Sequence, residues 1–262
     1  PTALSLNTGS SDITCFGMCN GSASAIAGGG TPPYTYSWAP GGQTTASITG
    51  LCSGSYTVTA RDGGGCTQTK IVTINSPAQI FANPSVVTNA SCSGVCDGST
   101  TSTPIGGTAP FTYLWTPGNI ATATATNLCA GTYSLKVTDV NNCVSNQSVT
   151  VTQPTPVTAS ITGSTSSCNI CNGSATATAV GGTGPYTYSW APGGQTTVTA
   201  TGLCPNTTYT VTVTDSKGCT ATAVVTILQT IIINITTSST VLSCAGTCDG
   251  MVTANATGGT LP

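Results

Sequence analysis

Apolar and polar residues alternate along much of the chain. Residues 56–60 read Tyr-Thr-Val-Thr-Ala, and residues 133–138 and 209–214 repeat the same alternation. Successive side chains of a β-strand point to opposite faces of the sheet, so this pattern places Tyr and Val on one face and Thr on the other. It predicts strands with a buried apolar face and an outer face covered by threonine.

Turn residues separate these strands at short intervals. Residues 28–30 (Gly-Gly-Gly), 40–42 (Pro-Gly-Gly) and 62–65 (Asp-Gly-Gly-Gly) are turn signals, and no segment shows the periodicity of a helix. Six or seven short strands at such spacing predict an immunoglobulin-like β-sandwich. The predicted fold class is therefore all-β.

Six aromatic residues at repeated positions are the candidate core: Trp38, Trp115, Trp190, Tyr56, Tyr133 and Tyr209. Sandwiches of this class place a core Trp on the third strand, and a corner Tyr opens a late strand. The alternative is that the rings stack on sugars. We favour core packing, because a small domain has few large apolar side chains and needs its Trp inside. An extra residue before Tyr209 predicts a different corner in the third unit.

The whole pattern recurs with a period of about 76 residues. The segment around Trp38, PYTYSWAPGGQTT, returns unchanged around Trp190 and as PFTYLWTPGNIAT around Trp115. Short links, two of them containing Pro, separate the units and predict semi-rigid connections. The predicted domains are 1–77, 78–154 and 155–229, followed by a truncated fourth unit at 230–262, and we expect the chain to be a segment of a longer protein.

Charge is scarce, and this excludes several functions. The 262 residues include four Lys or Arg, six Asp, no His and no Glu, whereas Thr alone accounts for 55. Four cations cannot form the basic face that nucleic acids or anionic lipids require. The commonest general bases are missing, and near-identical repeats leave no place for a single active site, so we expect no enzyme. No apolar run is long enough for a membrane-spanning helix.

Cysteine is the main chemistry of the sequence. Each full unit carries four: Cys15, Cys19, Cys52, Cys66; Cys92, Cys96, Cys129, Cys143; Cys168, Cys171, Cys204, Cys219. Even numbers at repeating positions predict two disulfides per unit and an oxidising, extracellular compartment.

The residues alone leave the pairing open, because four cysteines allow three connectivities. The turns that hold Cys15, Cys19 and Cys52 are expected at one end of the sandwich and Cys66 at the other. Cys66 then has the alternative of reaching an adjoining unit. A four-cysteine zinc site is a rival, since C-x-x-x-C and C-x-x-C are ligand spacings.

Carboxylates are the remaining candidate site. Asp62, Asp139 and Asp215 end the Tyr-led strands, and Asp97 and Asp249 stand where other units have Asn20 and Asn172. These side chains could bind Ca²⁺ together with turn carbonyls. We favour the simpler interpretation that they accept hydrogen bonds from turn backbone, because Asn replaces Asp between units. No other cofactor is expected.

The ordered set C-x-G, (N/D)-G-S, G-G-T-x-P-Y-T-Y-S-W-x-P-G-G, L-x-x-G-x-Y-x-V and G-C resembles the SprB-type repeat of Bacteroidetes surface adhesins. Single pieces also resemble polycystic-kidney-disease-like sandwiches. The resemblance covers the three full units and the truncated one. It implies an extracellular or cell-surface location, type IX secretion, and a role in adhesion, gliding motility or surface filaments.

The resemblance also implies a disulfide pairing. The cysteines that match the family pair are Cys15 with Cys66, Cys92 with Cys143, and Cys168 with Cys219. Cys19 and Cys52 depart from the family pattern but occur together in each full unit, so we pair them, and likewise Cys96 with Cys129 and Cys171 with Cys204.

The function predicted from these observations is an adhesive or structural segment, with an array of carbohydrate-binding modules as the alternative. The expected partners are further repeats of the same chain, like chains in a filament, or surface glycans.

Overall fold

The computed structural model describes residues 2–241, 244 and 248–258, and within them the chain is built of β-strands with no helix. It divides into two compact units, one of residues 2–90 and 96–152 and the other of 91–95 and 153 onward. The sequence-based boundaries at 77, 154 and 229 remain a prediction. Of the predicted fourth unit, residues 242–243, 245–247 and 259–262 lie outside the described residues.

The first unit contains two sandwiches. The strands of the first are β1 (Ser5–Ser11), β2 (Gly21–Gly28), β3 (Thr35–Ala39), β4 (Ser47–Leu51), β5 (Gly54–Arg61) and β6 (Thr67–Ile74). They form two antiparallel sheets of three strands, ordered β1-β2-β4 and β3-β5-β6. Two small facing sheets are the arrangement that the closely spaced turns predicted.

The second sandwich repeats this order. Its strands are β7 (Pro84–Thr88), β8 (Gly98–Ser102), β9 (Thr112–Thr116), β10 (Thr124–Leu128), β11 (Gly131–Thr138) and β12 (Val144–Val151). The sheets are β7-β8-β10 and β9-β11-β12. An isolated bridge between Phe81 and Ile105 extends the first of these two sheets.

The second unit contains one sandwich and one hairpin. The sandwich strands are β13 (Thr158–Gly163), β14 (Gly173–Val180), β15 (Thr187–Ala191), β16 (Thr199–Leu203), β17 (Thr208–Thr214) and β18 (Thr220–Thr226). They form the sheets β13-β14-β16 and β15-β17-β18, and β19 (Ile233–Ser239) pairs with β20 (Val252–Gly258). Every residue of β19 and β20 is exposed.

Each sandwich has its own apolar core between its two sheets. In the first, Leu6 and Ala23 come from one sheet, and Trp38 and Val58 come from the other. The alternation predicted from the sequence is seen in β17, where Tyr209, Val211 and Val213 are buried. The immunoglobulin-like, all-β fold class is therefore confirmed.

Candidate functional site

The first cysteine of each sandwich lies in a tight turn that leads into the second strand. In the turn after β1, the Met18 amide donates to the Cys15 carbonyl at 3.1 Å, and Val95 and Cys92 make the same 3.1 Å bond after β7. The second position after each cysteine is Gly17 or Gly94, with φ of 75° or 78°. Glycine adopts this left-handed backbone without steric cost.

The third copy of this turn is one residue shorter. Asn169 takes the left-handed conformation, with φ of 54°, and the Ile170 amide donates to the Ser167 carbonyl at 3.1 Å. Asn tolerates left-handed backbone better than most residues. The change from C-x-G-x-C to C-x-x-C therefore keeps a turn at this place.

The fourth cysteine of each sandwich ends a D-x-x-x-C hairpin loop whose Asp is buried. Asp139 Oδ1 accepts hydrogen bonds from the amides of Asn141 and Cys143, each at 2.9 Å. Its Oδ2 accepts from the Thr108 amide at 2.9 Å. One carboxylate thus fixes the cysteine's backbone and joins its hairpin to the loop before β9.

The other two sandwiches have the same arrangement, in which one Asp carboxylate accepts from the amide of the fourth cysteine and from a Thr amide in the loop before the third strand. We call this arrangement the clasp. Asp62 accepts from the amides of Cys66 at 2.8 Å and Thr31 at 2.9 Å. Asp215 accepts from those of Cys219 and Thr183, both at 2.8 Å. Asp62, Asp139 and Asp215 are 6 %, 4 % and 5 % exposed, so these bonds are sheltered from water.

The amide donors favour the charged form of two of these carboxylates. The hydrogen bond from the Thr31 amide is the largest influence on the pKa of Asp62 and holds it below the usual value. Burial acts to raise the pKa of Asp215, but the bonds from Thr183, Cys219 and neighbouring amides outweigh it, so that pKa is also lowered. Both carboxylates are therefore ionised at neutral pH.

The structure joins these two kinds of turn across sandwiches. Cys15 bonds to Cys143 with a Cα–Cα distance of 5.5 Å, and Cys92 bonds to Cys219 with a Cα–Cα distance of 5.6 Å. The first cysteine of one sequence repeat thus pairs with the fourth cysteine of the next.

This pairing corrects the predicted bonds Cys15–Cys66, Cys92–Cys143 and Cys168–Cys219. The turn that holds Cys15 precedes β2. Cys66 lies at the other end of this strand, because the Asp62 carboxylate accepts from both the Cys66 amide and the amide of Thr31, which follows β2. Strand β2 has eight residues, so the two turns lie about 25 Å apart at roughly 3.3 Å per residue. A disulfide needs Cα atoms within about 7 Å, so the two cysteines of one sandwich cannot meet. Cys143 and Cys219, which are equivalent in position to Cys66, bond to an adjoining sandwich, which is the alternative considered above for Cys66.

The second and third cysteines pair within each sandwich. The bonds are Cys19–Cys52, Cys96–Cys129 and Cys171–Cys204, and each closes a separation of 33 residues. Cys66 and Cys168 lie outside the described disulfides. The Cys168 thiol donates to the Thr230 carbonyl at 3.2 Å.

Apolar residues flank the disulfides between sandwiches. Beside Cys15–Cys143, a shallow groove is lined by Phe16 and Met18 of the first-cysteine turn and by Ile80 and Val144 of the second sandwich. Val95 and Val157 line the corresponding groove beside Cys92–Cys219. Phe16 and Met18 are 57 % and 51 % exposed, so much of the apolar surface of these two side chains remains open to water.

The aromatic residues lie where core packing predicts. Trp38, Trp115 and Trp190 are at most 1 % exposed, and each indole donates to a threonine carbonyl: Thr45 at 2.9 Å, Thr122 at 3.0 Å and Thr197 at 2.9 Å. Rings that are buried on both faces cannot stack on sugars.

The tyrosines form corners, and the third one differs. The Tyr56 and Tyr133 hydroxyls donate to the carbonyls of Cys52 and Cys129, at 3.1 Å and 3.0 Å. The Tyr209 hydroxyl instead accepts from the Cys204 amide at 3.0 Å. The extra residue before Tyr209 accounts for the difference, because it shifts the backbone that faces the ring.

Among the described residues, the acidic and sulfur groups do not form a calcium or zinc site. The amides of the clasp already occupy the carboxylate oxygens of Asp62, Asp139 and Asp215. Asn20 and Asn172 accept from turn amides, those of Thr14 and Ser167. Across the described part of the chain, no three His, Cys, Asp or Glu side chains cluster so as to hold a metal ion. In the same residues no helix is suited to crossing a membrane.

Comparisons with solved structures find adhesion-molecule ectodomains at low similarity. The eight N-terminal Ig domains of Down syndrome cell adhesion molecule isoform 1.30.30 align at 14 % identity and a TM-score of 0.28, covering 88 % of this chain and 44 % of that one. Domains 1–5 of Sidekick-1 align at 12 % identity and a TM-score of 0.27, covering 96 % and 63 %. This chain thus spans less than two thirds of either structure.

Sequence comparison is more specific. No curated protein sequence matches the chain. The model of the SprB repeat matches three segments, residues 7–43, 85–120 and 164–195. The first two segments begin within the first strand of a sandwich, and the third begins directly after it; each then runs through the first-cysteine turn to the Trp-bearing third strand and beyond. The chain therefore carries three segments, one in each sandwich, that match the SprB repeat.

Proposed function

We propose that this array is a load-bearing structural segment of an extracellular, cell-surface adhesive protein, in the manner of an adhesin stalk or filament. The SprB repeats support an adhesive repeat protein of this kind. Disulfides at repeating positions support an oxidising compartment outside the cytoplasm. Gliding motility and export by type IX secretion are part of the proposal.

The overlap of the two disulfides between sandwiches carries the proposal. Cys15–Cys143 closes a separation of 128 residues, and Cys92–Cys219 closes one of 127. The two loops share residues 92–143, so every residue between Cys15 and Cys219 lies inside at least one of them. A single backbone cleavage anywhere in that range leaves the two pieces covalently joined. Such redundancy suits a segment that must hold under tension or in the presence of proteases.

The surface composition suits a stalk as well. Ten charged side chains in 262 residues leave little electrostatic interaction for salt to screen. Low charge also permits like chains to pack side by side, so other copies of the chain in a filament, further repeats and surface glycans are the proposed partners.

Single-molecule force spectroscopy on the full chain, pulled from its two ends under oxidising conditions, tests the load-bearing role. Removing either bridge alone, by C15S/C143S or C92S/C219S, lengthens the shortest covalent route by about 26 residues, or roughly 90 Å of extended chain. Removing both lengthens it by about 87 residues, or roughly 300 Å. Removing both bridges should lengthen the route by more than the sum of the two single removals, because the two disulfide loops overlap.

A matched control is C19S/C52S, which removes a disulfide that lies off this route. Its fully extended length should equal that of the unaltered chain. If the chain that lacks both bridges between sandwiches extends no further than the unaltered chain, the bridges bear no load and the proposal fails.

A further inference from the structure

Cys66 lies in a turn built like those of Cys143 and Cys219, but it has no disulfide and is exposed. The Asp62 amide donates to the Cys66 carbonyl at 3.0 Å, as the Asp139 amide does to the Cys143 carbonyl at 3.0 Å. The Asp62 carboxylate accepts from the Cys66 amide at 2.8 Å, the distance found between Asp215 and Cys219. The backbone that presents the sulfur is thus the same in all three sandwiches.

The residues around Cys66 also match those around Cys219. Gly65 and Thr67 flank Cys66 as Gly218 and Thr220 flank Cys219. Leu4 is equivalent in position to Val157. The Gly30 amide donates to the Thr2 carbonyl, two residues before Leu4, and the Gly182 amide donates to the Thr155 carbonyl, two residues before Val157. Gly218, Thr220 and Val157 line the groove that receives the Cys92 turn.

We propose that the surface around Cys66, with Leu4, Gly65 and Thr67, is a docking site for the first-cysteine turn of another repeat of this kind. That repeat precedes the first sandwich in the same way as the first sandwich precedes the second. Cys66 and the first cysteine of that repeat form a further disulfide between sandwiches. The partner is identified by its C-x-G-x-C turn, which two disulfides of this chain already show meeting a D-x-x-x-C loop. The proposal rests on this pairing and does not depend on an adhesive role.

Bond formation is a two-step thiol–disulfide exchange with a disulfide oxidant, here glutathione disulfide. The Cys66 thiolate attacks one sulfur of the oxidant, and the S–S bond breaks to release one glutathione thiolate. The partner's thiolate then attacks the Cys66 sulfur of the mixed disulfide and releases the second glutathione thiolate. Two protein thiols are oxidised to one disulfide, one glutathione disulfide is reduced, and the two protons end on the released glutathiones.

The test places a copy of residues 78–153 directly before Pro1 of the full chain, with Cys143 of the added copy changed to Ser. The junction then reads Gln-Pro-Thr, as Gln153-Pro154-Thr155 does between the second and third repeats. Cys92 of the added copy stands 127 residues before Cys66, the separation of Cys92 and Cys219. The protein is folded in a glutathione buffer and digested with trypsin without reduction.

Trypsin releases residues 62–70, the nonapeptide that carries Cys66, because cleavage follows Arg61 and Lys70. In the extended protein this peptide should be found linked to the Cys92 peptide of the added copy, and the Cys66 thiol should lose at least nine tenths of its reactivity toward a thiol reagent. The matched control changes Cys92 of the added copy to Ser, and residues 62–70 should then be released without that link.

Two results would overturn the proposal. One is recovery of residues 62–70 as a free thiol peptide from the folded, extended protein whose Cys92–Cys219 bond has formed. The other is a link between residues 62–70 and residues 137–217, which carry Cys168, because Cys66 then pairs with an existing cysteine of this chain or of a second copy.

Discussion

Cys15 and Cys143 are 128 residues apart in the chain, yet they are bonded with their Cα atoms 5.5 Å apart. The Asp139 carboxylate holds the Cys143 end of this bond through the Cys143 amide. At the other end, a turn with glycine at its left-handed position presents Cys15. A covalent connection between sandwiches is thus prepared by two local backbone conformations, each specified by a short motif.

The disulfide map is open to a direct test, because the four basic residues divide the chain at informative places. Non-reducing tryptic digestion should yield residues 1–61 linked to 137–217, and residues 71–136 linked to 218–262. Residues 62–70 should appear unlinked. The bonds Cys19–Cys52, Cys96–Cys129 and Cys171–Cys204 stay inside single peptides. Recovery of residues 62–70 attached to residues 1–61 would mean that Cys66 is bonded to Cys15, Cys19 or Cys52, and it would refute this map.

Loss of the Asp139 clasp should destabilise the first unit. In Asp139→Asn an amide NH₂ replaces one carboxylate oxygen and faces a backbone N–H donor, either that of Thr108 or those of Asn141 and Cys143. A buried donor left without its acceptor costs about 1–3 kcal/mol, so the free energy of unfolding in urea should fall by that amount. Lys136→Gln, which removes a charge at an exposed position of β11, is the control. An equal effect of both substitutions would contradict the clasp.

Stability should depend on acid through the other two clasps. The hydrogen bond from Thr31 lowers the pKa of Asp62, and bonds from Thr183 and Cys219 lower that of Asp215 in spite of its burial. A lowered pKa in the folded state stabilises the protein above the ordinary Asp value of about 3.9 and ceases to do so as pH falls through the folded value.

The double variant Asp62→Asn/Asp215→Asn should therefore have a lower Tm than the unaltered chain at pH 7. The difference should shrink below about pH 4, as the carboxylates of the unaltered chain become protonated. Thermal unfolding followed by circular dichroism from pH 2 to 7 measures it. A Tm difference that stays constant over the whole range would mean that ionisation of these groups does not stabilise the fold.

The two kinds of tyrosine corner predict different costs for the same substitution. Tyr133→Phe removes a hydroxyl that donates to the Cys129 carbonyl, which costs about 0.5–1.5 kcal/mol. Tyr209→Phe removes the acceptor of the Cys204 amide and leaves that donor without this partner, at about 1–3 kcal/mol. Urea unfolding of the two variants, each followed by a probe in its own unit, compares them. A larger loss in Tyr133→Phe would contradict the assigned direction of the bonds.

Local patterns were sufficient for the strands and the cores. Alternation in residues 56–60 and 209–214 predicted buried Val58 and Val211, because the period of two is a property of each strand by itself. Burial of Trp38 followed from the shortage of other large apolar side chains. The Cys19–Cys52 pair was predicted because both cysteines recur together in every full unit.

The role of the aspartates was only half predicted. The sequence indicated that Asp62, Asp139 and Asp215 satisfy turn backbone, and their bonds to Cys66, Cys143 and Cys219 are of this local kind. Their bonds to Thr31, Thr108 and Thr183 bridge 31 or 32 residues and depend on how two loops meet at the end of a sandwich. No spacing rule predicts such a contact.

By itself, the sequence determined the period, the sandwich and the positions of the cysteines, because each of these follows from interactions within a strand or a turn. Only the tertiary structure decided the partners of the first and fourth cysteines. The length of β2 separates the first and fourth cysteines of one sandwich, and packing within each unit brings Cys15 to Cys143 and Cys92 to Cys219. Nearly identical repeats offer equivalent cysteines in every copy, so the choice between them depends on three-dimensional distance.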